Sequence, residues 1–233
     1  MRLGFTLFRA SRSPWYVRLL FCCLAANALA GSKSLPTQYV ECVRDAKGVD
    51  VASYSMPTPV FDSKQGFKAY GVVVANRSPE GACTNTTTVY FSEPAGTFRV
   101  AFQQQTERLP DGSVYDGNGI ENIQWSPTGR VLLIEVSQWT WGTDSTWNVK
   151  YILVDAGTAE VRELPIKAAV QKHFTKACAW LAGSGEWLDD REIDIELQPY
   201  KDVDEEGAPG PTPSCVAKPT RLSFDVNSGD FLN

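Results

Sequence analysis

Polar and apolar positions alternate strictly through REIDIEL (191–197), so Ile193, Ile195 and Leu197 fall on one face of a strand and Glu192, Asp194 and Glu196 on the other. The run VLLIEVSQW (131–139) is rich in β-branched residues and also reads as a strand. It places Leu132, Ile134 and Val136 on one face and Leu133, Glu135, Ser137 and Trp139 on the other, where Trp141 continues the row. Strand–turn–strand segments recur at 89–102 (VYFSEPAGTFRVAF), 151–164 (YILVDAGTAEVREL) and 222–233 (LSFDVNSGDFLN). Each turn contains a glycine (Gly96, Gly157 or Gly229), expected to supply the positive φ of a tight hairpin. One helix is predicted, KAAVQKHFTKA (167–177), with Ala168, Val170, Phe174 and Ala177 on its apolar side.

A second pattern repeats. Trp125 stands before the turn Ser126-Pro127-Thr128-Gly129, and Trp180 stands before Ala182-Gly183-Ser184-Gly185, with a strand following each turn. The residues Trp125 to Arg130, with Asp155 to Leu164 and Asp225 to Leu232 as outer hairpins, resemble blades of β-propeller repeat proteins of the WD-repeat and periplasmic Tol-type kind. The resemblance covers residues 67–233 and three units. It is weakest in the first, where Ala75-Asn76-Arg77-Ser78-Pro79 would be the turn. The fold class it implies is all-β, with propeller-like repeated antiparallel sheets; the alternative is a β-sandwich. Closed propellers need about four blades or more. A fourth would come from residues 37–54, around the turn Asp45-Ala46-Lys47-Gly48, or from a second chain; failing both, the stack is open.

Residues 1–30 are a different kind of segment. Four arginines, no acids, the apolar run LLFCCLAANALA and the site Ala28-Leu29-Ala30 describe a secretory signal peptide. An Arg-rich transit peptide is the rival reading, and the compact apolar run favours secretion. Phe21 argues against lipid attachment at Cys22. The chain thus divides into a leader (1–30), an N-terminal segment with a strand hairpin (31–66) and the propeller-like domain (67–233). Of 22 basic residues four lie in the leader, which leaves 18 against 27 acidic ones, a net charge of about −9. Such a surface repels phosphate backbones and anionic lipid, which excludes nucleic acid as a natural partner and gives no reason for membrane insertion.

Cleavage also leaves four cysteines, Cys42, Cys83, Cys178 and Cys215, an even number in an exported chain. Three pairings exist; Cys42–Cys83 with Cys178–Cys215 is preferred because each closes a moderate loop within one half of the chain. No metal site and no cofactor is implied: no CxxC occurs and His173 is the single histidine.

Candidate chemistry is sparse. Trp139, Trp141 and Trp147, with Asp144 and Asn148 between or beside them, would form an aromatic platform suited to a sugar ring or a peptide; packing between sheets is the competing role. No catalytic residue is assigned, because no nucleophile or metalloprotease motif appears. Glu135, Asp189, Asp190, Glu192 and Asp194 are the carboxylates from which a glycoside-cleaving pair would have to come. Asp111, Asp116, Asn118 and Glu121 read as a turn without the ordered spacing of a calcium loop. Asp202 to Glu206 with Pro209, Pro211 and Pro213 reads as a charged insertion. Asn76-Arg77-Ser78 and Asn85-Thr86-Thr87 fit the glycosylation pattern. Together these features point to an exported, non-enzymatic binding or scaffold domain for a protein or glycan. The alternatives are a carbohydrate-active hydrolase and a homodimeric assembly subunit.

Overall fold

The computed structural model describes residues 38–78, 81–110, 112–140, 147–200 and 212–232, with Trp147 described in its backbone alone. The leader, Trp141, Asp144, Asp111 and the charged stretch Asp202 to Pro211 lie outside the described residues.

The chain is all-β. In order it forms β1 (Val43–Arg44), β2 (Asp50–Val51), β3 (Ser53–Tyr54), β4 (Phe61–Asp62), β5 (Lys68–Arg77), β6 (Cys83–Ser92), β7 (Arg99–Gln104), β8 (Glu107–Arg108) and β9 (Val114–Tyr115). Then come β10 (Gly117–Trp125), β11 (Val131–Trp139), β12 (Trp147–Asp155), β13 (Val161–Glu163), helix α1 (Ile166–Phe174), β14 (Trp180–Trp187), β15 (Glu192–Pro199), β16 (Thr220–Asp225) and β17 (Asp230–Phe231). Two short hairpins, β1–β2 and β8–β9, accompany three larger antiparallel sheets. The first is β5-β6-β7 with β3 and β4 both on the free edge of β5; the second runs β10-β11-β12-β13; the third runs β14-β15-β16-β17.

Period-two alternation explains how the sheets stack. Leu132, Ile134 and Val136 of β11 join Ile120, Ile123, Ile152 and Val154 in a core shared with Ala69, Val73, Val89 and Phe91 of the first sheet. Leu133, with Tyr151 and Leu153 of β12, joins a second core with Ile193, Ile195, Leu197 and Phe224 of the third sheet and Ile166, Ala169 and Val170 of α1. The second sheet is therefore covered on both faces, which is why β11 is buried along almost its whole length.

Three details differ from the sequence-based expectation. The hairpin glycines are not aligned as their letters suggest. Asp155 accepts bonds from Gly157 N and Thr158 N, and Asp225 accepts them from Asn227 N and Ser228 N. The fifth residue of each turn then takes positive φ, Ala159 at 58° and Gly229 at 74°. In the first sheet Ala95 takes the left-handed role, at 58°, rather than Gly96. Second, Trp180 is not the counterpart of Trp125. Ala182 to Gly185 lie within β14 as an irregularity, and the turn comes after Trp187, which pairs with Ile193 as Trp125 pairs with Leu132. Third, the matching turn of the first sheet is Ser63-Lys64-Gln65-Gly66. Ser63 Oγ accepts from Phe67 N at 3.0 Å as Ser126 Oγ accepts from Val131 N at 3.3 Å, and Gly66 and Gly129 both have positive φ. Ala75 to Ser78 instead finish β5 and enter the hairpin to β6.

The turn Asp45–Gly48 does close a hairpin, β1–β2, with Asp45 Oδ1 accepting from Lys47 N and Val49 N. Disulfides join Cys42 to Cys83 and Cys178 to Cys215, closing separations of 41 and 37 residues.

Candidate functional site

The three equivalent turns meet at one end of the stack. Gln65 Nε2 donates to Thr128 O at 3.1 Å. Thr128 in turn donates from its amide (3.0 Å) and its hydroxyl (2.7 Å) to Asp190 Oδ1. The Thr128 amide holds the Asp190 carboxyl below its ordinary range. Gly129 permits this approach, since a Cβ there would sit 2.7 Å from Lys64 N. Behind the turns, Arg130 pairs with Asp155 at 3.6 Å and Arg191 pairs with Asp225. The second pair is the tighter: Arg191 Nε donates to Asp225 Oδ2 at 2.8 Å and holds the Asp225 carboxyl down at about 2.

The five carboxylates from which an acid–base pair would come are not gathered into one cleft. Glu135 lies on the face of the second sheet that meets the third, 1% exposed. Asp189 caps its own turn through Arg191 N and Glu192 N, and Asp190 is the acceptor of Thr128. Glu192 and Asp194 lie on the opposite side of the third sheet from Glu135, bonded to Ser223 Oγ and Arg221 respectively.

Glu135 has an unusual setting. A register shift in β10 between Ile120 and Asn122 faces another in β14 between Ala182 and Gly185. Such irregularities take backbone groups out of the ladder. Here Gly185 N donates to both Glu135 oxygens at 3.1 Å, Asn122 Nδ2 donates at 2.9 Å, and Tyr151 Oη donates to Gly183 O at 2.7 Å. Burial dominates and pushes the Glu135 carboxyl up to about 8, against the lowering effect of those two donors, with Glu121 and Glu186 adding repulsion.

Trp139 is buried, 8% exposed; its ring lies edge-on to Tyr39 at 5.7 Å between centroids and covers Gly117, where no side chain would fit. Trp147 enters β12 opposite Trp139. Trp125 packs on the core between the first and second sheets, its indole N–H donating to Phe61 O at 2.9 Å. Asn118 and Glu121 belong to strand β10 rather than to a turn, and buried Asn118 donates to Asn85 O. Asn85, also buried, donates to Val40 O. His173 in α1 lies edge-on to Phe231.

The two outermost faces of the stack contrast. On the third sheet, Arg221 is tied to Glu186, Asp194 and Glu196 at 3.0–3.3 Å, with Glu192 and Gln198 alongside. One guanidinium is shared by three carboxylates there, which leaves the face acidic. On the first sheet, the face turned away from the core carries Tyr70 stacked on Tyr90 (5.0 Å), Phe98 edge-on to Tyr70 (4.8 Å), and Val72, Val74 and Val100. Tyr54 of β3 extends the row beside Val74. Tyr54 is 67% exposed, Val100 54% and Phe98 41%, so this face is open to solvent. Charge stands at its margin as the pair Lys68–Asp62, whereas Arg99 lies over the Phe91 ring on the other side of the sheet. This tyrosine face is the candidate site. The alternation of KAYGVVVANR holds the signal for it, because the side opposite Ala69, Gly71, Val73 and Ala75 is apolar as well.

No protein-family model matches the sequence, and no curated protein matches it. Among the described residues no helix is long and apolar enough to cross a membrane, and no group of three or more potential metal-binding side chains occurs.

Proposed function

We propose that the chain is an exported, non-catalytic binding or scaffold module, built as an open stack of three propeller-like blades. It acts in the cell envelope or outside the cell and recognises a protein or glycan. The reading of the sheets as blades is supported by their common strand order, by turn contacts that link them at intervals of 63 and 62 residues, and by an Arg–Asp pair repeated behind the second and third turns. Two disulfides, of a kind typical of extracellular and periplasmic proteins, support export.

One observation supports binding above all: the solvent-facing side of the first sheet is aromatic and uncharged at its centre. Tyrosine offers a large apolar ring at low entropic cost and a hydroxyl for hydrogen bonding, the combination that favours contact surfaces. Buried Trp139 packs against Tyr39 and Gly117.

Capture from native extracellular protein and envelope glycan preparations tests the proposal, comparing the wild-type chain with the double variant Tyr70→Ala/Tyr90→Ala and with Gln198→Ala on the opposite terminal face. Capture lost in the tyrosine variant and kept in Gln198→Ala is expected. Equal capture by all three would refute it.

A further inference from the structure

We infer that the tyrosine face of the first sheet is the contact surface of a symmetric dimer, in which a second copy of this chain presents the same face. This rests on the reading of that face as a binding surface and names its partner. Three observations lead to it.

The first is charge. A two-fold contact places a surface against itself, so any unpaired charge near its centre meets its own kind. The centre of this face holds Tyr70, Val72, Val74, Thr86, Thr88 and Tyr90 and no ionised group, while the marginal pair Lys68–Asp62 is neutral overall. The surface is therefore compatible with a copy of itself.

The second is area. Two ten-residue strands, β5 and β6, flanked by β7 on one side and by β3 and β4 on the other, span on the order of 600 Å² at ordinary strand spacing. Two such faces bury on the order of 1,200 Å², which reaches the range of specific interfaces.

The third is the other end of the stack. Head-to-tail addition would press the tyrosine face of one copy onto the third sheet of the next. That sheet presents Glu186, Asp194, Glu196 and Arg221. Their transfer out of water beneath aromatic rings costs more than their mutual attraction returns. The acidic end suits solvent, so association through the first sheet stops at two copies, with an acidic face outward at each end.

Sedimentation of the mature chain across micromolar to sub-millimolar concentration, with circular dichroism to check folding, decides the matter. A dimer is expected. Val100→Lys and Val100→Glu, both at an exposed position, should each be monomeric with unchanged dichroism. Leu181→Lys, on the outer face of the third sheet, should remain dimeric. A monomer at every concentration overturns the inference, as does a dimer that survives both Val100 variants or is lost in Leu181→Lys. Comparison with the capture assay separates the two ideas. A monomer whose capture still depends on Tyr70 and Tyr90 overturns pairing alone, whereas a monomer whose capture ignores them overturns the binding surface too.

Discussion

Glu135 shows how one residue can be placed by its sequence pattern and still conceal its chemistry. The alternation of β11 puts it on the face opposite Leu132, Ile134 and Val136, and there it stands. What alternation does not contain is the third sheet, some 50 residues further on, which seals that face and raises the carboxyl to about 8. The sign of the consequence follows from proton binding. Between about 4.5 and about 8 the unfolded chain releases this proton while the folded chain keeps it, so stability falls as pH rises through that window. The slope from this group is at most about 1.4 kcal/mol per pH unit. In Glu135→Gln, urea unfolding followed from pH 5 to 9 should lose that downward component. An unchanged pH profile would show that the carboxyl ionises freely in the folded state. Asp225 works in the opposite sense: the Arg191 guanidinium depresses its carboxyl to about 2, so its contribution is present above the ordinary aspartate range and fades as pH falls towards 2.

At the scale of elements, the strands were largely legible and the turns only in part. The hairpins around Asp155 and Asp225 read correctly as hairpins because an apolar run, a capping aspartate and a second run recur in both. Their glycines misled, since Gly157 is the third residue of its turn and Gly229 the fifth, and the backbone demands left-handed φ at the fifth. Ala159 occupies that demanding position in the second sheet with a Cβ that the conformation disfavours. Ala159→Gly should therefore raise stability, by about 0.5–1 kcal/mol after the extra freedom of the unfolded glycine is subtracted. Chemical denaturation of the variant checks this. Trp187 was missed as the partner of Trp125 because Leu188 to Arg191 lacks the Pro and Gly that mark the other turn. Arg191 and Asp225, repeating Arg130 and Asp155, were the signal that could have found it.

At the scale of the molecule, the all-β class and its antiparallel sheets could be read from alternation and turn spacing, whereas the layer order could not. Nothing local in VLLIEVSQW says which face meets which neighbour; both faces are buried because both are covered. That arrangement ranks the layers by stability. Native-state hydrogen exchange should find the β11 amides most protected and exchanging at the free energy of global unfolding, with β7 and β17 opening earlier. Comparable protection in all three sheets would show that they unfold as one unit. The middle layer has a further consequence during synthesis. When residues up to 163 have emerged and α1 and β14 to β17 have not, Leu133, Tyr151 and Leu153 face water and Glu135 is an ordinary ionised glutamate. Docking of the last layer then has to draw a proton from the surroundings as it closes, so closure is favoured in mildly acidic media and opposed in alkaline ones.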